Sequence, residues 1–171
     1  MHAQTKIELL KGDITKVAAD AIVNAANSSL LGGGGVDGAI HMAAGPELLA
    51  ECEQLNGCET GKAKITGGYL LKAKHVIHTV GPVWRGGSFD EFSLLASCYK
   101  SCLNLAKDHK LLTVAFPGIS TGVYNFPLDL AAKIAVTETR RFLNYSIFPE
   151  KVIFVTFSDE NYEIYRKLLD K

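Results

Sequence analysis

Two segments of the chain combine glycine with small polar residues in a way that suits the binding of an anion. The first, AANSSLLGGGGVDGAIH, covers Ala25 to His41, and the second, PGISTGVYNFP, covers Pro117 to Pro127. Glycine allows the backbone to adopt positive φ and to approach a ligand closely. Successive N–H groups can then surround an anion, helped by the positive end of a following helix. Together the segments predict a diphosphate site that needs no lysine or arginine; a pair of flexible surface turns is the alternative.

Two short motifs in these segments point to other enzyme classes, but their surroundings do not support those classes. Gly33, Gly35 and Gly38 satisfy GxGxxG, yet the stretch from Ala25 to Gly32 separates them from the preceding strand, unlike a dinucleotide fingerprint. GISTG at 118–122 satisfies the GxSxG pattern of α/β-hydrolases. Every histidine precedes Ser120, whereas those enzymes place the catalytic histidine after the serine. Neither a nicotinamide site nor a serine nucleophile is therefore expected.

Three polar side chains near the expected strand ends could take part in chemistry. Asp37 could accept a proton from a water that attacks the substrate, or it could cap a helix, which contributes about 0.5–2 kcal/mol. Asn27 could bond a ribose hydroxyl or position that water, or it could end its strand in an Asx turn. Asp13 could accept a hydrogen bond from an exocyclic amine, or it could cap a turn. The residues alone leave each pair of alternatives open.

The pattern of apolar residues predicts strands that alternate with helices. The strand-like runs are Ile7–Leu10, Ala21–Asn24, Val76–Val80, Leu112–Phe116 and Val152–Phe157, with a weaker candidate at Ile65–Leu71. Apolar residues at helical spacing cover 92–106, 127–142 and 159–169, with Pro127 suited to a first helical position. Several strands are continuously apolar, as expected when helices cover both faces of a sheet. Such sheets bind ligands in the loops beyond the carboxyl ends of their strands.

The composition limits the class of protein. The 171 residues suit a single domain over 1–171, and 18 basic residues offset 18 acidic ones, so bulk charge attracts neither nucleic acid nor an acidic membrane. No segment has the roughly 18 apolar residues of a membrane span, and the first ten residues lack the apolar core of a signal peptide. The four cysteines form no CxxC pair. These features predict a cytoplasmic protein with reduced cysteines and no metal site.

Six segments of the chain, taken in order, resemble the macrodomain family, in particular the MacroD-type ADP-ribosyl hydrolases and bacterial O-acetyl-ADP-ribose deacetylases. The segments cover the chain nearly from end to end. They are GDIT at Gly12–Thr15, IVNAAN at Ile22–Asn27, GGGGVDGAIH at Gly32–His41, TGKAKIT at Thr60–Thr66, VIHTVGP at Val76–Pro82 and GISTGVYNFP at Gly118–Pro127.

The resemblance implies a three-layer α/β/α sandwich around a six-stranded mixed, mostly parallel sheet, with the ligand in a crevice at the strand ends. It implies a catalytic pair, Asp37 and Asn27, with Asn27 at the distal ribose. The other implied substrate contacts are Asp13 and Ile14 at the adenine, Phe157 packed on it, and Asn24. The implied diphosphate contacts are Gly35 and Val36 in the first segment and Ser120, Thr121, Gly122, Val123 and Tyr124 in the second.

By the same resemblance the chain is expected to hydrolyse ADP-ribose esters without a cofactor or metal. The implied substrates are O-acetyl-ADP-ribose and proteins that carry one ADP-ribose on a carboxylate, and a monomer is expected. Two alternatives remain at this point. One is a module that binds ADP-ribose without turning it over; the other is an RNA-binding or regulatory protein, which the neutral charge and the lack of a basic, aromatic stripe disfavour.

Overall fold

The core of the fold is a six-stranded sheet. The computed structural model describes residues 6–171, so residues 1–5 of the domain predicted over 1–171 lie outside the described residues. The strands are β1 (Ile7–Lys11), β2 (Ala21–Ala26), β3 (Ala63–Gly67), β4 (His75–Val80), β5 (Thr113–Phe116) and β6 (Lys151–Thr156). Their order is β1-β6-β5-β2-β4-β3, with β3 antiparallel to β4 and all other neighbours parallel. The predicted mixed, mostly parallel sheet is confirmed.

Five α-helices cover the two faces of the sheet and complete the three layers. They are α1 (Gly35–Ala44), α2 (Pro46–Glu53), α3 (Glu91–Asp108), α4 (Leu128–Tyr145) and α5 (Asp159–Leu169). Neighbouring strand residues point to opposite faces. Ile22 therefore belongs to the core under α1 and α2, and Val23 to the core under α3, α4 and α5. Burial on both faces explains why the strands are continuously apolar.

The predicted boundaries differ from the structure in three places. The short helix α2 was not predicted; Gly45, at φ +89, separates it from α1 and allows a new helix to begin at Pro46. Pro127 lies at the N-cap of α4 rather than at its first helical position. The weak strand expected to reach Leu71 ends at Gly67. Over residues 6–171, none of the helices combines the length and the apolar character needed to cross a membrane.

The parallel strands β1, β2, β4, β5 and β6 all end at the same edge of the sheet. The loops that follow them therefore stand in a row, in the order of the strands. From one end to the other, the row contains Asp13 after β1, Phe157 after β6, the segment 117–127 after β5, the segment 27–34 after β2, and Gly81 after β4. Residues far apart in the sequence are thus aligned along a single crevice edge.

Candidate active site

The loop after β2 is shaped by the side chain of Asn27. Its Oδ1 accepts hydrogen bonds from the backbone N of Ser29 at 3.2 Å and from Ser29 Oγ at 2.6 Å, while Nδ2 donates to the carbonyl of Gly32 at 2.9 Å. The Asx-turn alternative for Asn27 is therefore realised. The side chain is half-buried, so a role at the distal ribose stays a prediction alongside this structural role.

Asp37 lies in the first turn of α1 and is only 4% exposed. The N-cap of that helix is Gly34, and no side chain of the described residues caps it, so the cap alternative for Asp37 is wrong. The Asp37 Oδ1 atom instead accepts a hydrogen bond from Asn24 Nδ2 at 2.9 Å, and His41 Nε2 lies 3.5 Å from the same oxygen. A buried carboxylate is thus fixed by contacts that have no part in starting the helix.

Asn24 does not have the exposure that a substrate contact needs. The residue is fully buried, and its amide bonds Asp37 on one side and approaches His78 Nδ1 at 3.1 Å on the other. The expectation of a direct ligand contact is therefore corrected: Asn24 lies in the core and holds the Asp37 carboxylate through a hydrogen bond. Burial, followed by the proximity of His41, lowers the pKa of His78 to about 4, so this imidazole is neutral near pH 7.

The N-terminus of α1 offers backbone N–H groups next to Asp37. Gly35 has φ +58, and a Cβ added at Gly38 would lie 2.4 Å from the carbonyl oxygen of Gly33, so the loop and the helix are in close contact. A Cβ at Gly33 would lie 3.2 Å from both Asn27 Nδ2 and Asp37 Oδ2. The same short stretch of backbone therefore contacts both predicted catalytic side chains, while the uncapped helix end presents partial positive charge.

The second glycine-containing segment is held as a closed loop. Ser120 and Asn125 have φ values of +66 and +60, and the N–H of Phe126 donates to the carbonyl of Ser120 at 2.9 Å. Val123 at the tip is 92% exposed. The Oγ of Ser120 is buried and has no hydrogen-bond partner within residues 6–171. The loop therefore has an exposed tip and a fixed base.

The segment after β4 anchors this second loop. The N–H of Trp84 donates to the carbonyl of Tyr124 at 2.8 Å, and the Trp84 and Phe126 rings are 4.8 Å apart. The segment itself is organised by Glu91, whose carboxylate accepts hydrogen bonds from three backbone N–H groups, those of Arg85 and Gly87 at 2.8 Å and that of Phe89 at 2.6 Å. Burial acts to raise the pKa of Glu91, but these hydrogen bonds outweigh it and lower the pKa to about 2.

The family model described as Macro domain matches residues 23–135. A macro domain-containing protein of Methanosarcina mazei is 58% identical over 166 residues, which are 97% of this chain and 89% of that protein. The chain belongs to the macro domain family.

Other relatives link this macro domain to named proteins and solved structures. The human protein named ADP-ribose glycohydrolase MACROD2 is 55% identical over 97% of this chain, which spans 40% of the length of that relative. A variant of the Oceanobacillus iheyensis macrodomain with ADPR has a TM-score of 0.92 and 45% identity, covering 96% of this chain and 94% of that one. The Trypanosoma brucei macrodomain in complex with ADP-ribose has a TM-score of 0.90 and 46% identity, covering 96% and 69%.

The adenine end of the macro domain crevice is predicted at β1 and β6, which are neighbours in the sheet. Phe157 is 88% exposed immediately after β6, as an aromatic residue available for stacking would be. Asp13 caps a short 3₁₀ turn by accepting bonds from Thr15 N at 2.9 Å and Thr15 Oγ1 at 2.7 Å, and these bonds lower the pKa of Asp13. Its capping alternative is realised, and Ile14 is buried in the core. The adenine roles of these residues stay predictions.

A cleft of about 290 Å³ opens at the opposite end of the row of loops. Ser28 after β2, Gly81 after β4 and Tyr124 of the second loop contribute to its walls. In the described part of the chain, no group of three or more histidine, cysteine, aspartate or glutamate side chains has an arrangement that could hold a metal ion.

Three residues of the macro domain site were not identified as functional from the sequence. His41 follows Asp37 by four residues, a spacing that brings two side chains to the same face of a helix and that could have revealed the pair. His78 is a polar residue that directly follows the apolar pair Val76 and Ile77 in β4. Glu91 offered no such signal, because its three partners are backbone groups of an irregular loop.

Proposed function

We propose that this protein binds ADP-ribose and hydrolyses its esters, releasing ADP-ribose and a carboxylic acid. The observation that carries the proposal is the buried carboxylate of Asp37 beside the uncapped, glycine-rich N-terminus of α1. A site built only to bind a diphosphate gains nothing from a carboxylate in this position, because like charges repel. A hydrolase needs such a group to accept a proton from water.

The proposed reaction follows from the order of the loops. Backbone N–H groups of 32–36 and of 118–124 bind the diphosphate; neither segment contains lysine or arginine. Asn27, whose side chain approaches Gly33 as that of Asp37 does, holds the distal ribose. Asp37 then accepts a proton from water as the water oxygen forms a bond to one carbon of the ester linkage. The bond from that carbon to the bridging oxygen breaks, and the proton on Asp37 passes to the departing oxygen, so that ADP-ribose and the carboxylic acid separate. A positioned general base contributes roughly 10²–10⁴-fold, and orientation of the reactants contributes up to about 7–11 kcal/mol.

The relatives support this substrate class. MACROD2 is named an ADP-ribose glycohydrolase, and the Trypanosoma brucei macrodomain was solved with ADP-ribose. We extend the proposal to proteins that carry one ADP-ribose on a carboxylate. The cleft between Ser28, Gly81 and Tyr124 is open to solvent, and one of its lining residues, Ser28, follows Asn27 directly. We assign this cleft to the acyl group or the protein side chain. We further propose that the protein acts in the cytoplasm and needs no metal.

The experiment incubates the purified protein with O-acetyl-ADP-ribose and measures release of acetate and ADP-ribose, with and without a metal chelator. Calorimetric titration with ADP-ribose is run on the same preparation. Binding with turnover that survives the chelator supports the proposal. Reaction in ¹⁸O-labelled water distinguishes the attacked carbon, because acetate gains the label when water attacks the acyl carbon and stays unlabelled when water attacks a ribose carbon.

A module that only binds ADP-ribose is the second candidate. The contacts of Asn27 with Ser29 and Gly32 favour it, since they give that side chain a structural role without any reaction. ADP-ribose binding without acetate release would select this candidate. Absence of both binding and release would refute the substrate class itself.

A further inference from the structure

A buried line of polar side chains runs beneath Asp37 across three strands. It begins at Thr66 on β3, passes His78 on β4 and Asn24 on β2, and ends at Asp37 on α1. All four residues are buried, with at most 4% of their surface exposed. Asn24 and His78 are direct neighbours in the parallel register of β2 and β4. Buried polar groups of this kind are stable only when their donors and acceptors match.

The hydrogen bonds in this line run outward from Asn24, towards Asp37 on one side and towards His78 and Thr66 on the other. Asn24 Nδ2 can only donate, and its two protons meet Asp37 Oδ1 at 2.9 Å and His78 Nδ1 at 3.1 Å. His78 Nδ1 must therefore accept, which places the imidazole proton on Nε2. That N–H points to Thr66 Oγ1 at 3.0 Å, and the Thr66 hydroxyl in turn donates to the carbonyl of Gly67 at 3.1 Å.

The orientation of the Asn24 amide depends on these two bonds alone. Its Oδ1 is buried and has no hydrogen-bond partner among the residues that the structure describes. If the amide rotated by half a turn, Oδ1 would gain nothing from His78 Nδ1 and would face the carboxylate oxygen of Asp37. Loss of the acceptor on His78 would remove one of the two bonds that prevent this rotation.

We propose that His78 is a positioning residue, which fixes the Asn24 amide through Nδ1 and thereby directs an N–H group at the Asp37 carboxylate. The inference rests on the proposed function, in which Asp37 accepts a proton. The low pKa of His78, about 4, supports it, because the Nδ1 lone pair is then available at neutral pH. The groups that face this ring are His41 on α1, Glu51 and Cys52 on α2, and the strand residues named above.

Two substitutions of similar size separate the two ring nitrogens. His78→Asn places an amide oxygen where Nδ1 lies and so keeps an acceptor for Asn24. His78→Gln reaches the position of Nε2 and keeps a partner for Thr66, but it leaves Asn24 without an acceptor. We expect His78→Gln to lower kcat by about 10- to 100-fold, with KM and ADP-ribose affinity nearly unchanged, because a buried amide loses a bond. His78→Asn should lower kcat by only a small part of that factor, because it keeps the acceptor for Asn24.

Urea unfolding of both variants checks that they are folded and comparably stable under the assay conditions. Equal losses of kcat in two folded variants would overturn the proposal, because a merely structural histidine would not distinguish its two nitrogens. A loss expressed in KM or in ADP-ribose affinity would also overturn it.

A second measurement does not depend on activity. Long-range ¹H–¹⁵N correlation spectra of the wild-type protein, with histidine assigned through His78→Asn, report which ring nitrogen carries the proton. We expect the proton on Nε2 between pH 5 and 8, and a proton on Nδ1 would refute the proposal. If the protein binds ADP-ribose but shows no turnover, the proposed function fails, while this spectrum still decides whether His78 orients Asn24.

Discussion

His78 connects the stability of the fold to pH, because burial lowers its pKa in the folded protein from 6.5 to about 4. Between about pH 4 and pH 6.5, His78 binds a proton in the unfolded chain but not in the folded protein. Acidification therefore favours unfolding, and the stabilisation present above pH 6.5 is lost as the pH falls to about 4. At about 1.4 kcal/mol for each pH unit, the loss is about 3 kcal/mol, a large part of the 5–15 kcal/mol typical of a domain.

The assay is urea unfolding at pH 7 and at pH 4, followed by far-ultraviolet circular dichroism. His78→Asn retains the acceptor for Asn24 but has no proton to bind, while all carboxylates stay in place. Between pH 7 and pH 4, we expect the free energy of unfolding of the wild type to fall by about 3 kcal/mol more than that of His78→Asn. His75→Asn removes a half-buried histidine from the same strand and serves as the matched control. An unchanged difference for His78→Asn would refute the reasoning.

Three further predictions concern the loops around the site. Glu91→Gln should lower the free energy of unfolding at pH 7. This loss should disappear as the pH falls from 4.5 to about 2, because the wild-type carboxylate then becomes protonated and neutral like the glutamine. An equal loss at pH 7 and near pH 2 in urea unfolding would contradict the prediction. Asp13→Ala should weaken ADP-ribose more than ribose phosphate in calorimetry, because only the former carries adenine, and equal losses would contradict the adenine role. Gly38→Ala and Gly68→Ala each bring a Cβ within 2.4 Å of a backbone oxygen and should both be destabilising. Only Gly38→Ala, at the diphosphate loop, should also reduce ADP-ribose affinity of the folded protein; similar affinities would count against this loop as the anion site.

The sheet could be predicted from the sequence because its strands are buried on both faces. Their continuous apolar runs are unambiguous, and the five main strands begin and end within one or two residues of prediction. The helix α2 was missed because it is short, starts directly after α1, and buries only Leu48 and Cys52. The order of the loops along the crevice depends on the strand order, which the pattern of apolar residues does not specify.

The surroundings of Asp37 could be predicted only in part. The glycine-rich loop and the carboxylate are visible in the sequence, but the inward direction of Asn24 is not. It follows from the register of β2 against β4 and from the position of α1 over that face. A polar residue in the middle of an apolar strand indicates a partner, yet its identity, here His78 and Asp37, is a tertiary fact.

The most direct test of the central claim compares the wild type with Asp37→Asn in single-turnover hydrolysis of O-acetyl-ADP-ribose. Asparagine has almost the same shape and can still meet Asn24 through its oxygen, but it cannot accept the proton of water. We predict a rate lower by roughly 10²–10⁴-fold with ADP-ribose affinity equal or slightly improved. A variant that hydrolyses the ester at the wild-type rate would show that Asp37 is not the base.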